Sequence, residues 1–303
     1  MKNKIYSKLG EIKKHFDKGG NVIQYIREIE NSTLNSIDAI QISYDMQAGS
    51  YVDMVKKNPE SNKLYTTALA NLLNNLGTTG NIIEAGVGEA TTLANVIEKL
   101  RVKPSAFGGF DISWSRIKYA QKFTEFKNLK NAFLFTGDIF HIPMADNSVD
   151  IVYTSHSIEP NGGNEKELLQ ELYRITNRYL VLLEPAYELG SEEARKRMDS
   201  HGYVKGLKKT AEDLGYNVIE HRLFDVILSE LNPTGLMIIE KNKSNFSRTF
   251  KLVCPLTNLE LNKESDAYFC ADSLMSYPII GGIPCLLSDN GIITSKFDAD
   301  III

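Results

Sequence analysis

The stretch from Asn81 to Leu93 reads NIIEAGVGEATTL, and it decides the fold. NIIEA is a short apolar strand. Gly86-Val87-Gly88 is a turn whose backbone N–H groups are free to approach a ligand closely. Leu93, Val96, Ile97 and Leu100 then recur at the i, i+3, i+4, i+7 spacing of a half-buried helix. Strand, glycine turn and helix in immediate succession form the opening unit of a parallel sheet.

Downstream the unit repeats. SAFGGFDIS, AFLFTGDI, SVDIVYTSHS and RYLVLLEP read as strands; SRIKYAQKF, NEKELLQELYRIT and VKGLKKTAEDLG read as helices. The second of these helices turns Leu168, Leu172 and Ile175 inward. NVIEHRLFDV and GLMIIEK follow as an antiparallel pair, joined by a segment containing proline and glycine. The prediction is an α/β protein with a mostly parallel sheet covered on both faces and an antiparallel hairpin at its edge. Residues 1 to about 75 read as helical and polar, with Val22, Ile26 and Ile29 on one stripe. A second helical run is expected from Tyr44 to Lys57. A third has Leu64, Leu69, Leu72 and Leu73 on one side and Gly77 as its stop. KNKSNFSRTF reads as a polar, basic linker, and the following residues as a compact β-rich module. The expected division is 1–75 (helical lid), 76–243 (main domain), 250–290 (small module) and 291–303 (tail).

The chain has 303 residues and a formal net charge of −4, which argues against nucleic acid as the main partner. No apolar run approaches the ~20 residues of a membrane span. Three cysteines and no signal-like start predict a protein without a disulfide framework, in a reducing cytoplasm. The five histidines are scattered and show no metal-ligand spacing, so no metal site is expected.

A G-x-G turn alone fits a nicotinamide site or a methyl-donor site. The nicotinamide fingerprint places a third glycine where this chain has Thr91. Glu84 ends the first strand where nicotinamide folds usually keep an apolar residue. Asp111 ends the second strand, 25 positions after Gly86, and Asp138 ends the third. Three acids at successive strand ends suit a cationic sulfonium and a single adenosine, and suit a pyrophosphate poorly.

With these residues in order, IIEAGVGEATT, GFDIS, FTGDIFHIPMADNSVDIVYTSHSIEP and YLVLLEP resemble the successive motifs of class I S-adenosylmethionine-dependent methyltransferases, over roughly residues 40 to 241. The resemblance implies a Rossmann-like seven-stranded sheet with an antiparallel last strand, and S-adenosylmethionine as cofactor. It implies that Glu84, Gly86 and Gly88 line the methionine moiety. Asp111 would bind ribose with Ile112 packed on adenine, and Asp138 would meet the adenine amino group with Ile139 beside it. In YDMQAGSY, Tyr44 and Tyr51 resemble the tyrosines of a related N-terminal lid; core packing of an amphipathic helix is the alternative.

The acceptor site of an open parallel sheet lies beyond the strands' carboxyl ends. There His156 is the candidate general base, its ordinary pKa being near neutrality, and Glu159 the candidate to orient an acceptor. Asn161 has the same candidate role, or belongs to a turn before a cap at Asn164; Glu184 binds an acceptor or ends a strand. His201 and Tyr203 are weaker candidates to close the pocket, and His141 to shape the adenine-side loop. The alternative for His156 is packing or a loop hydrogen bond.

LVCPLTNLEL and YFCADSLMSYPIIGGIPCLL resemble the small zinc-ribbon-like activator domain of tRNA and protein methyltransferases. Thr257 and Ser273 stand where its second cysteines would be, and Cys285 reads as a core residue, so the expectation is a metal-free module. Its candidate roles are docking on the parent domain, homodimerisation or acceptor recruitment. The leading functional expectation is a methyltransferase acting on a small polar acceptor, such as a sugar or metabolite hydroxyl. The alternatives are a tRNA or rRNA methyltransferase and a non-catalytic S-adenosylmethionine-binding protein.

Overall fold

The computed structural model describes residues 2–77, 80–241 and 249–297. Most of the expected linker and the end of the expected tail therefore lie outside the described residues. Six helices come first: α1 (Lys2–Tyr6), α2 (Leu9–Asp17), α3 (Val22–Glu30), α4 (Ile37–Met46), α5 (Ser50–Lys57) and α6 (Pro59–Asn75). Strands and helices then alternate as β1 (Asn81–Ala85), α7 (Thr91–Lys99), β2 (Ala106–Asp111), α8 (Trp114–Phe126), β3 (Phe133–Thr136), β4 (Val149–Ser155), α9 (Glu165–Ile175) and β5 (Thr176–Pro185). α10 (Glu192–His201), α11 (Leu207–Asp213), β6 (Asn217–Leu223) and β7 (Thr234–Glu240) complete the main body.

The seven strands order as β3-β2-β1-β4-β5-β7-β6. β1 to β5 pair in parallel, and β7 runs against both β5 and β6. This is the expected Rossmann-like sheet. Chain order reverses between β1 and β4, the switch point at which open α/β sheets leave a crevice. Both faces are covered. Ile83, Phe110, Leu168 and Leu172 belong to one apolar layer; Ile82, Leu93, Ile117 and Tyr153 belong to the other. Ile5, Ile12, Val22 and Ile26 form a separate small core among the first helices.

The N-terminal region departs from its pattern in two places. The run expected from Tyr44 to Lys57 is broken, because α4 ends at Met46 and α5 starts at Ser50. Gly49, with φ +101°, makes the break, and a Cβ there would come 2.9 Å from the Tyr119 hydroxyl. Leu64 is 60% exposed on α6, while Leu69 and Leu73 are buried. The side chain of Asn164 does not cap α9.

The C-terminal residues form a small antiparallel sheet of β8 (Asn262–Glu264), β9 (Ala267–Cys270), β10 (Met275–Ile280), β11 (Ile283–Pro284) and β12 (Ile292–Ile293). It sits against the exposed edge of the main sheet. Leu286 N donates to Thr136 O at 3.1 Å, and Ala145 N to Lys251 O at 2.9 Å. Covering an edge strand removes a row of free backbone groups. Cys254, Tyr277 and Leu286 join the apolar layer beneath β3. Ser273 Oγ lies 3.8 Å and the Tyr277 hydroxyl 3.3 Å from the Cys254 sulfur. Thr257 bonds the same sulfur, so both hydroxyls noted in the sequence converge on one thiol. Among the described residues no group of three His, Cys, Asp or Glu side chains is placed to hold a metal.

Candidate active site

The carboxyl ends of β1, β2 and β4 open into a cavity of about 550 Å³, roofed by α4 and α5. The structure brings eleven of the sequence-predicted candidates to it together. Tyr44, Tyr51, Glu84, Gly86, Gly88 and Asp111 line its wall, as do Ile112, Asp138, Ile139, His156 and Glu159. Asn161 also lines it. Glu184, His201 and Tyr203 do not. Tyr203 instead bonds Glu159 from outside the wall, and its hydroxyl is pushed up to about 12, chiefly by burial.

Sequence dictates the floor. Gly86 (φ +72°) turns the chain out of β1, and a Cβ there would fall 2.3 Å from Ser157 Cβ. Asp111 ends β2 with its two oxygens on the Gly88 and Ser113 amides, at 3.0 and 2.9 Å. Glu84 is 2% exposed and accepts a 2.8 Å bond from the Tyr153 hydroxyl. Burial pushes its carboxyl up to about 8. Asp138 holds the Phe140 amide at 3.0 Å and meets His141 at 3.3 Å.

At the other end His156 sits between two partners. Its Nδ1 lies 3.2 Å from Glu159 Oε2 and its Nε2 2.7 Å from Thr234 Oγ1. Its φ of +52° is one a non-glycine residue adopts at a cost of order 1–3 kcal/mol. Burial lowers its pKa, but the Glu159 bond and the charges of Glu159 and Glu184 outweigh burial and leave it raised. Glu184, buried behind it, accepts from the Ser157 amide at 3.2 Å and is pushed up by burial to about 7.

Three residues that the sequence pattern does not single out organise the roof. Glu89, one position past the glycine turn, is 1% exposed and accepts from the amides of Gly49, Tyr51 and Val52 at 2.8, 3.3 and 2.7 Å. A carboxylate on the first turn of α5 is favoured by the helix dipole and its free amides. Asp45, at the end of α4, caps α8 in the same way through Ser113 Oγ, Ser115 N and Ser115 Oγ, at 2.8 to 3.0 Å. Arg116 is 2% exposed, its guanidinium 4.8 Å from the Tyr44 ring centre and 4.7 Å from that of Tyr51. The lid tyrosines thus grip a buried cation above Gly88. The available signal was a charge on the apolar stripe of α8, where Arg116 shares a face with Ala120 and Phe123.

Residues 77–189 match the family model described as a methyltransferase domain. The chain carries a methyltransferase domain. No curated protein matches it. Solved structures similar to it include a SAM-dependent methyltransferase from Aquifex aeolicus, at 18% identity and TM-score 0.43, covering 56% of this chain and 87% of that one. Magnesium protoporphyrin IX methyltransferase from Synechocystis, with bound SAH, is similar at 13% and 0.49, covering 60% and 84%. A chain of the complex between the Haloferax volcanii Trm112 methyltransferase activator and a methyltransferase is similar at 15% and 0.45, covering 56% and 86%. At these scores the fold rests on the sheet order itself. The match ends in the segment after β5, so α10 to β7 and the small sheet lie beyond it.

Proposed function

We propose that the chain is an S-adenosylmethionine-dependent methyltransferase acting on a small polar acceptor, with the donor and acceptor side by side in the cavity under α4 and α5. The observation that carries this reading is the convergence of Glu84, Asp111 and Asp138 with His156 and Glu159 on one 550 Å³ space. The wall fits the donor. Gly86 and Gly88 leave a cradle without side chains, and the strand ends offer carboxylates rather than the phosphate-binding groups a dinucleotide needs.

When bound, the donor supplies a methyl carbon activated by its positive sulfur. Asp111 would accept hydrogen bonds from the ribose, Asp138 from the adenine amino group, and Glu84 would face the cationic methionine arm. Glu159 accepts a hydrogen bond from Nδ1–H of His156, which leaves the Nε2 lone pair, met by the Thr234 hydroxyl at 2.7 Å, to receive the acceptor's proton once the acceptor displaces that hydroxyl. His156 Nε2 would take the acceptor hydroxyl's proton as that oxygen is methylated. Tyr44, Tyr51 and Arg116 exclude water and hold the reactants in line.

The test is transfer of a labelled methyl group from S-adenosylmethionine into a fractionated cell extract. Label in the low-molecular-weight fraction, lost with His156→Ala, supports the proposal. Label in RNA instead, or none in any fraction, overturns it.

A further inference from the structure

A second cleft, of about 980 Å³, opens between α5, α6, α7 and α8. It shares only Val55 and Asn62 with the candidate active site, so the lid is a common wall. Its interior is apolar. Val52, Val55, Tyr119, Phe123 and Phe126 face it, and Phe126 is 77% exposed. Asn95 Nδ2 is already paired, to Asn62 Oδ1 at 2.7 Å and to Thr91 O at 3.0 Å.

The rim is cationic. Lys56, Lys63, Lys99, Lys118, Lys122 and Lys127 line it with Glu98, and Asp53, Glu60 and Glu125 stand beside them, in a chain whose net charge is −4. Four of these lysines meet carboxylates at 2.7 to 3.9 Å. Lys99 and Lys118 meet none among the described residues. Lys99 Nζ donates to Thr66 Oγ1 and Asn95 O, both at 2.9 Å, and Lys118 Nζ to Gln121 Oε1 and Gly281 O, at 3.3 and 3.4 Å. Burial first, then the charges of Lys127 and Lys63, hold Lys99 below its ordinary pKa against the opposing pull of Glu98. An anion beside it would relieve that.

We propose that this cleft binds a long-chain anionic amphiphile, a fatty carboxylate, with its alkyl chain along the aromatic floor and its head at the lysine rim. The apolar interior favours this occupant over an RNA strand or an extended peptide. Base edges and peptide groups need hydrogen-bond partners that the floor does not offer.

Calorimetric titration with monomeric dodecanoate tests it on the whole chain. Saturable one-to-one binding is expected, weakened about fourfold for each buried methylene removed and at least tenfold for dodecanol. Phe126→Asp, on an exposed side chain, and the double variant Lys99→Gln/Lys118→Gln should each weaken dodecanoate at least tenfold. Equal binding of dodecanol overturns the proposal. So do binding unchanged in both variants, association with phosphatidylglycerol vesicles but not with the monomer, and binding of bulk tRNA in place of dodecanoate.

Discussion

The lid has two faces, and they are charged oppositely. Its inner face closes on Glu84, Asp111, Asp138 and Glu159, with Arg116 as the one buried cation described there. Its outer face meets six lysines, four of them paired with carboxylates and Lys99 and Lys118 with none among the described residues. The origins differ as well. The inner acids stand at or just beyond strand ends, where a parallel sheet brings separate segments to one crevice. The outer lysines lie on helix surfaces and come together only when α5 and α6 pack across α7 and α8. One thin layer therefore separates a wall suited to a cationic adenosine cofactor from a rim suited to an anion.

The sharpest way to break this contrast is at Asp111. Asp111→Asn keeps the size, leaves one of the Gly88 and Ser113 amides without its acceptor, and removes a charged acceptor of two ribose hydrogen bonds, each of order 1.5–3 kcal/mol. S-adenosylhomocysteine affinity should fall about 10²-fold or more by calorimetry, with dodecanoate binding in the outer cleft unchanged. Loss of both would show that the two faces are not independent.

Second in size is His156→Ala. Removal of a positioned base should lower kcat by about 10²-fold and leave S-adenosylhomocysteine affinity within about twofold. Because the His156 pKa is raised in the free protein, kcat/KM should rise with pH along a limb lying above 6.5. Glu159→Gln should move that limb to lower pH. A limb unmoved in the Glu159 variant refutes the pairing.

Third is the lid itself. Glu89→Gln weakens the anchor that holds the α5 amides. It should weaken S-adenosylhomocysteine about tenfold and speed proteolytic cleavage near Gly49, measured by limited digestion. Unchanged digestion would mean that α5 is held by packing alone.

The smallest effect is the pH dependence of cofactor affinity. Glu84 is pushed up to about 8 in the free protein, so it is protonated at neutral pH. A cationic ligand favours the ionised form. S-adenosylmethionine affinity should therefore rise a few-fold between pH 6.5 and 8.5, with a proton released on binding, and Glu84→Gln should flatten the trend. Proton release is read from the buffer dependence of the binding enthalpy.

Much of this site was legible because each strand-end residue is fixed by local pattern. An apolar strand followed by a glycine turn placed Glu84, Gly86 and Gly88, and two further strand ends placed Asp111 and Asp138. Tyr44 and Tyr51 were legible as candidates, but not their grip on Arg116, which lies 72 and 65 positions away. Glu89 stood inside the opening stretch and was passed over, because its partners are amides 37 to 40 positions upstream. The break at Gly49 was hidden by helix-favouring neighbours on both sides. The docking of the small sheet on β3 depends on contacts across roughly 150 positions, which no local periodicity encodes.

The central claim is that the inner cavity is built for an adenosine cofactor with a cationic arm. Its most direct test is a calorimetric titration of the full chain with S-adenosylhomocysteine and, separately, with NAD. One-to-one binding of S-adenosylhomocysteine in the micromolar range, weakened about 10²-fold or more by Asp111→Asn, with no heat from NAD, is the expected result. Saturable binding of NAD with none of S-adenosylhomocysteine would contradict the account.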